Sequence, residues 1–457
     1  MEDTRLDYNK PGIAYKLLKL YVRIVYSKFY FRKTYYLNKE LVPHDCPLIV
    51  VSDHQNSLND ALGLVFAINS RGNRKLRAFT RADAFDHSFL RIILKGIGLM
   101  PAFRLEYQGL ENVSKNGDIF GEAQHELLNK GTIIIFPEAN HVGKRTLRKF
   151  SQGYLRLLFD AAEACDYKKE MFVLPACNHY SDYIKNRGEV LIKFGEPVSL
   201  APYYEQYKEK PKTTLREINK LVQQKVSKLM LDITDVDNYE AIDYLRNTYG
   251  GRFALIKGLD YQILPEKLHA DKLLVESLDK LKIDNQEQVT GIYEQVRVLE
   301  QETKNLKIKD EYFDTPPSSL FFTVCGLILL FPLFLLSWLL NWLIIYVPRL
   351  FTRKIDDVIL HGAVKMITSI LVTIPLQYLL NLFLFWFITD SFIIAFMCLI
   401  CLPFLYIFMK HYIIVLNNCK SKIRFLKLLR KEKLKELNLL RNNIWKSLDN
   451  LFKAPDL

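Results

Sequence analysis

The sequence is poor in the features that mark a small secreted scaffold. Its seven cysteines show no disulfide-like spacing, and the one close pair, Cys398 and Cys401, lies inside an apolar run where small core residues are expected, not a metal site. A disulfide framework is excluded, and a reducing compartment fits. The N-terminus shows no short apolar core followed by a small-residue cleavage site, so export of the soluble part is not expected. No internal repeat and no turn-rich linker divides the chain. Charge is scarce in one region only. From Ser318 to Leu416 long apolar runs carry almost none, whereas up to about Pro317 apolar residues alternate with charges as in a globular domain. An apolar share of 49% over 457 residues therefore serves a soluble core and a membrane domain together.

Lysine and arginine outnumber the acids, 63 to 50, for a formal charge of +13. Such an excess can signal nucleic acid. Here the basic residues cluster at Arg349 to Lys354 and Lys420 to Lys435, beside apolar segments. Anionic lipid headgroups are the expected counter-charge, and no nucleic-acid partner is expected.

Residues 1–32 contain an amphipathic stretch, "PGIAYKLLKLYVRIVYSKFYFR", with Ile13, Leu17, Leu20 and Ile24 among lysines and arginines at helical intervals, as in a helix lying on a membrane surface. Across 33–212 short apolar runs ("PLIVVS", "LRAFTRA", "TIIIFPE", "FVLPACN", "VLIKFGEPV") alternate with helical patterns ("LNDALGLVFAI", "FLRIILKGI", "IFGEAQHELLNK", "GYLRLLFDAAEA"). That order predicts an α/β domain, a mixed sheet covered by helices. Residues 213–317 read as a charged helical connector, 318–416 as an α-helical membrane domain, and 417–457 as a basic amphipathic tail.

The stretch "VVSDHQNSLNDAL" sets His54 and Asp60 just after an apolar run. Alone it reads as a polar helix N-terminus capped by Ser57, Asn59 and Asp60. Three further pieces follow: "GLMPAFR" ending in Arg104, "FPEANH" with Glu138 and His141, and "VLPACNHY" with Pro175. "KFSQGY" and "FGEP" accompany them. In this order and spacing they resemble the glycerolipid acyltransferase superfamily over roughly residues 30 to 200. The whole chain resembles the branch in which such a domain precedes C-terminal membrane segments, as in the glycerol-3-phosphate/dihydroxyacetone-phosphate acyltransferases.

The resemblance implies acyl transfer from a thioester, on acyl-CoA or acyl carrier protein, to a hydroxyl of glycerol 3-phosphate in phospholipid synthesis. A lysophosphatidate acyltransferase, a transacylase and a catalytically silent lipid-binding protein are the alternatives. His54 would be the general base, because imidazole titrates near neutrality, and Asp60, about one and a half helical turns on, would fix its tautomer. The acceptor hydroxyl attacks directly, so no enzyme nucleophile, cofactor or metal is implied. Arg104 matches the arginine that binds the acceptor's phosphate. Glu138 matches the acid that shapes the acceptor site, with Lys144, Arg145 and His141 as weaker phosphate candidates. Pro175 would shape a strand end near the acyl-donor site. The chain departs from the family pattern at Asp53, where asparagine is usual, in its five residues between His54 and Asp60, and at Ala139 in place of glycine. "GKRT" at Gly143 is not an NTPase phosphate loop, because Glu138 stands at the first glycine's position and Arg145 follows the lysine.

Three apolar stretches run from Ser319 to Val347, Met366 to Ile388 and Ser391 to Ile414. The first exceeds a spanning length and carries Pro332 near its middle, so it is expected to dip into one leaflet and return. The other two are expected to cross as a hairpin turning near Asp390. This arrangement keeps the catalytic domain, Arg349 to Lys354 and the tail on the cytoplasmic face of a membrane, taken as a bacterial inner membrane. The sequence leaves the oligomeric state open.

Overall fold

The computed structural model describes residues 13–68, 76–81, 91, 98–102, 116–138, 142–184, 187–314, 320–353 and 355–453. The chain divides into two compact units, Met1–Asp232 with Asp357–Ala363, and Ile233–Asp356 with Val364–Leu457.

The first unit is built on a mixed sheet of β1 (Lys33–Leu37), β2 (Leu48–Ser52), β3 (Leu76–Arg81), β4 (Leu99–Ala102), β5 (Thr132–Ile135), β6 (Phe172–Tyr180), β7 (Glu189–Phe194) and β8 (Val198–Ser199). Its order is β1-β7-β6-β2-β5-β3-β4, with β8 also beside β6. The strands from β6 across β2, β5 and β3 to β4 are parallel; β7 and β8 pair antiparallel with β6, and β1, parallel to β7, shares their direction. The sheet and its helices agree with the α/β expectation. Strands β1, β4 and β8 were not among the predicted runs. The predicted helix "FLRIILKGI" falls almost wholly outside the described residues.

Central strand β2 shows why its sequence reads as an unbroken apolar run. Leu48, Ile49, Val50 and Val51 are all fully buried, because helices cover both faces of the sheet. Ile49 and Val51 join a core with Tyr154, Leu155 and Leu158 of the helix Gly153–Glu163. Each such side chain contributes about 1.5–3 kcal/mol through burial. The charged helix Pro211–Leu229, read from sequence as part of the connector, adds Leu215, Ile218, Val222 and Val226 to that same core. Its other face carries the charges that make it resemble a linker.

On the sheet, α1 (Ile13–Ile24) precedes β1 and α2 (Leu58–Ile68) follows β2. Gly63 lets α2 approach closely: a Cβ there would lie 3.0 Å from the Tyr26 hydroxyl, 3.1 Å from Asn178 Oδ1 and 3.2 Å from Ile192 Cδ1. The α1 residues Ile13, Leu17, Leu20 and Ile24 form one exposed apolar stripe, as the sequence pattern predicts.

The second unit is helical. Gln286–Leu306 packs against Tyr239–Thr248, Leu264–Asp284 and the C-terminal helix Glu432–Lys453. Tyr249 meets Trp445 and Phe452, and the buried Arg441 pairs with Asp310 at 2.9 Å and Asp314 at 2.6 Å. Two helices, Leu360–Thr389 and Phe392–Leu428, are long and apolar enough to cross a membrane. They are joined at Asp390, whose φ of 49° closes the first helix, and at Ser391, which caps the second. The preceding apolar stretch is broken: Phe321–Leu329 and Phe331–Leu339 meet at 48°, where Pro332 removes a backbone donor. A second break at Leu340 and Asn341 is held by the helix Leu360–Thr389. Asn381 Nδ2 donates to Leu340 O at 2.9 Å, and Gln377 Oε1 accepts from Leu343 N at 3.0 Å. These amides satisfy backbone groups that a broken helix would leave unpaired in hydrocarbon.

Candidate active site

The parallel strands β2 and β5 end side by side, and the loops that leave them carry the first and third motifs. This is the carboxyl end of the strands, where open α/β sheets place their ligands. His54 lies two residues past β2. Its ring stacks on Phe136, just past β5, at a centroid distance of 4.4 Å.

His54 Nδ1 lies 3.0 Å from Asp60 Oδ2. The contact does not come from helical spacing. His54 belongs to a tight loop, with Ser57 at a φ of 51°, and Asp60 to the first turn of α2. The loop wraps around the carboxylate: Gln55 N and Asn56 N donate to the same Oδ2 at 2.9 and 2.8 Å, and the Tyr180 hydroxyl donates to Oδ1 at 2.7 Å. Asp60 is fully buried, while the His54 side chain keeps 16% of its surface exposed. An oxygen that already accepts two N–H groups acts as acceptor toward the imidazole too. The ring proton is therefore held on Nδ1, and Nε2 is the nitrogen able to take a proton.

Glu138 ties the loops together. Its Oε1 accepts from His54 N at 2.8 Å, and its Oε2 accepts from Arg148 N at 3.2 Å and Arg148 Nε at 3.1 Å. Burial raises its pKa, and these hydrogen bonds oppose the rise. Asp53 is buried as well. Its Oδ1 accepts from Asn178 N at 2.8 Å and the Ser52 hydroxyl at 3.0 Å, and no partner is found for Oδ2 among the described residues. Burial first, then the Asp60 charge, pushes Asp53 well above the ordinary carboxylate range. Burial likewise raises Tyr180 and Tyr26. Tyr26 donates to Asn59 O at 3.1 Å and so fastens the start of α2 from the other side.

Of the other residues singled out in the sequence, Arg145 is buried; its guanidinium donates to Tyr180 O at 3.1 Å and covers the Tyr183 ring at 4.9 Å. Lys144 is exposed. Arg104, His141 and Ala139 lie outside the described residues. Pro175 is not at a strand end, as its motif suggested, but inside β6 opposite Val51. There, Leu174 and Pro175 face three residues, Gly195 to Pro197, between β7 and β8, and Gly195 N donates to Pro175 O at 2.8 Å. A strand residue's N–H and C=O point the same way, so the proline's missing donor falls at this bulge. Among the described residues no group of three or more His, Cys, Asp or Glu is arranged to hold a metal ion.

Sequence reasoning missed Tyr180, Tyr26 and Arg148. Tyr180 stands in the quoted "VLPACNHY" run, but nothing local marks it as a partner of a residue 120 positions earlier.

Comparison with known proteins places an acyltransferase family model on residues 33–178. The chain is 26% identical over 135 residues to glycerol-3-phosphate O-acyltransferase 2 of Saccharomyces cerevisiae (strain ATCC 204508 / S288c). That match spans 29% of this chain and 18% of the yeast protein. Among solved structures, the 1-acyl-sn-glycerophosphate (LPA) acyltransferase PlsC from Thermotoga maritima aligns with a TM-score of 0.33 at 16% identity, over 46% of this chain and 78% of that one.

Proposed function

We propose, because residues 33–178 are an acyltransferase domain of the glycerolipid acyltransferase superfamily, that the protein moves a fatty acyl group from an acyl-CoA or acyl carrier protein thioester to a hydroxyl of glycerol 3-phosphate. The observation that carries the mechanism is the 3.0 Å contact between His54 Nδ1 and the buried Asp60. In the proposed step His54 Nε2 takes the acceptor's hydroxyl proton as the oxygen attacks the thioester carbonyl. Asp60 stabilises the imidazolium that forms. The C–S bond then breaks, the ester C–O bond remains, and the proton leaves His54 with the thiol. Arg104 is proposed to hold the acceptor's phosphate by bidentate hydrogen bonds, with Lys144 as an outer cation. Glu138 serves as a positioning residue through the His54 backbone.

The choice of glycerol 3-phosphate over its monoacyl derivative is supported by the similarity to a glycerol-3-phosphate O-acyltransferase. Membrane attachment is supported by two long apolar helices and by the exposed stripe of α1. In the proposed topology those two helices cross, the broken Phe321–Leu339 segment returns to its own side, and the acyltransferase domain faces the cytoplasm. Acyl incorporation by isolated membranes, with glycerol 3-phosphate or its monoacyl derivative offered separately, tests the reading. Preferential labelling of the monoacyl derivative overturns the choice of acceptor, and no labelling of either overturns the activity.

A further inference from the structure

Moving away from the joint of the two long apolar helices, the first lysine met is Lys365 in one and Lys410 in the other. Lys365 stands 25 residues before Asp390 and Lys410 stands 20 residues after it. At about 1.5 Å per residue these positions lie roughly 30 to 37 Å from the turn, at the far boundary of a hydrocarbon core about 30 Å thick. Arg349, in the helix Trp342–Thr352, lies within electrostatic range of both lysines, and Lys410 within range of Lys365. Among the described residues neither lysine is ion-paired to an acid. Three like charges thus converge at one membrane boundary.

Lysines near helix ends usually reach outward to water. Lys410 does the opposite. Its ammonium lies 5.3 Å from the centroid of the Tyr406 ring, one turn nearer Asp390, and so leans back toward the hydrocarbon. Arg349 is placed over Tyr346 at 5.9 Å, also one turn back along its own helix. Cations held together at this depth call for an anion that reaches the same depth.

We propose that Arg349, Lys365 and Lys410 bind the phosphate of an anionic phospholipid headgroup at the membrane boundary away from Asp390. Basic pockets between transmembrane helices recognise phospholipid headgroups in this way. A phosphomonoester fits three cations better than a phosphodiester, since it carries about −1.5 to −2 charges at neutral pH and three strong acceptor oxygens. The site rests on the second unit alone and is independent of acyl transfer.

The test is thermal melting of the full-length protein in phosphatidylcholine nanodiscs, with phosphatidate or phosphatidylglycerol added to the bilayer, or inorganic phosphate to the buffer. Phosphatidate raises Tm by several degrees, phosphatidylglycerol raises it less, and inorganic phosphate at matched concentration leaves it unchanged. In Lys410→Met the phosphatidate shift disappears, while Tm in phosphatidylcholine alone equals or exceeds that of the native chain, because a repulsion has been removed. Lys365→Gln shows the same loss and carries the test if Lys410→Met does not fold. No response to phosphatidate, or an undiminished response in these variants, overturns the site. An equal response to phosphatidylglycerol overturns the preference for a monoester, and an equal response to inorganic phosphate overturns the lipid assignment.

Discussion

The Tyr180 hydroxyl donates to Asp60 Oδ1 at 2.7 Å, so the last residue of β6 fixes a carboxylate in the first turn of α2. The other Asp60 oxygen faces His54 and two loop amides. The carboxylate is thereby oriented from the sheet as well as from its own loop.

Removing that donor leaves Asp60 buried with one partner fewer. A hydrogen bond to a charged group contributes about 1.5–3 kcal/mol. Tyr180→Phe is expected to lower kcat roughly ten- to a hundredfold with KM for either substrate little changed. Steady-state kinetics with donor and acceptor varied in turn would show it; a rise in KM alone would mean that Tyr180 serves binding instead.

Asp53 gives a prediction about pH. Its pKa is raised in the folded state, so the native protein binds more protons than the unfolded chain across the interval between the ordinary carboxylate pKa and the raised one. Its contribution to stability is complete below that interval and is lost as pH rises through the folded-state value. Asp53→Asn mimics the neutral acid. The variant should match the native Tm at low pH and exceed it increasingly as pH rises. Glu138 is also raised but is present in both proteins, so the difference between the two melting curves reports Asp53 together with its coupling to Asp60 and Glu138. Parallel curves would show that Asp53 does not titrate in this way.

Glu138 and Arg148 form a tie whose acid is fully buried at its side chain. Arg148→Ala leaves that carboxylate short of a cationic partner, at an expected cost of about 2–3 kcal/mol. Denaturant unfolding would measure it. The double variant Arg148→Ala with Glu138→Gln should recover part of the loss, and additive losses would contradict a coupled pair.

The break at Leu340 offers a test in the apolar helices. Asn381→Leu removes the donor to Leu340 O and leaves a carbonyl without a partner at membrane depth. A lower Tm in nanodiscs is expected, together with faster labelling of a single cysteine introduced at Leu339 in a cysteine-free background. Unchanged melting and labelling would show that the break holds without the amide.

How far the structure was legible differs from element to element. Strand β2 reads directly from Leu48 to Val51, since burial on both faces leaves an unbroken apolar run. Strand β1, "KTYYL", lies at the sheet edge with no apolar run, β4 contains Pro101 and spans four residues, and β8 has only two, so none carries a periodic signal. His54 and Asp60 are visible because they share one short motif. Tyr180 is hidden because its contact depends on how α2 lies on the sheet. Pro175 was misplaced to a strand end because a proline in a strand normally signals one, and the bulge that accommodates it is formed by residues about twenty positions later. The partner of Glu432–Lys453 among the connector helices is likewise invisible in a stretch that reads only as a basic amphipathic tail.

The most direct test of the proposed chemistry is acyl transfer by His54→Ala in native membranes, with thioester donor and glycerol 3-phosphate both saturating. General-base catalysis contributes about a hundred- to ten-thousandfold, so turnover should fall by that factor while the variant still folds, inserts and melts near the native Tm. A folded His54→Ala protein that transfers acyl groups at close to the native rate would contradict the account.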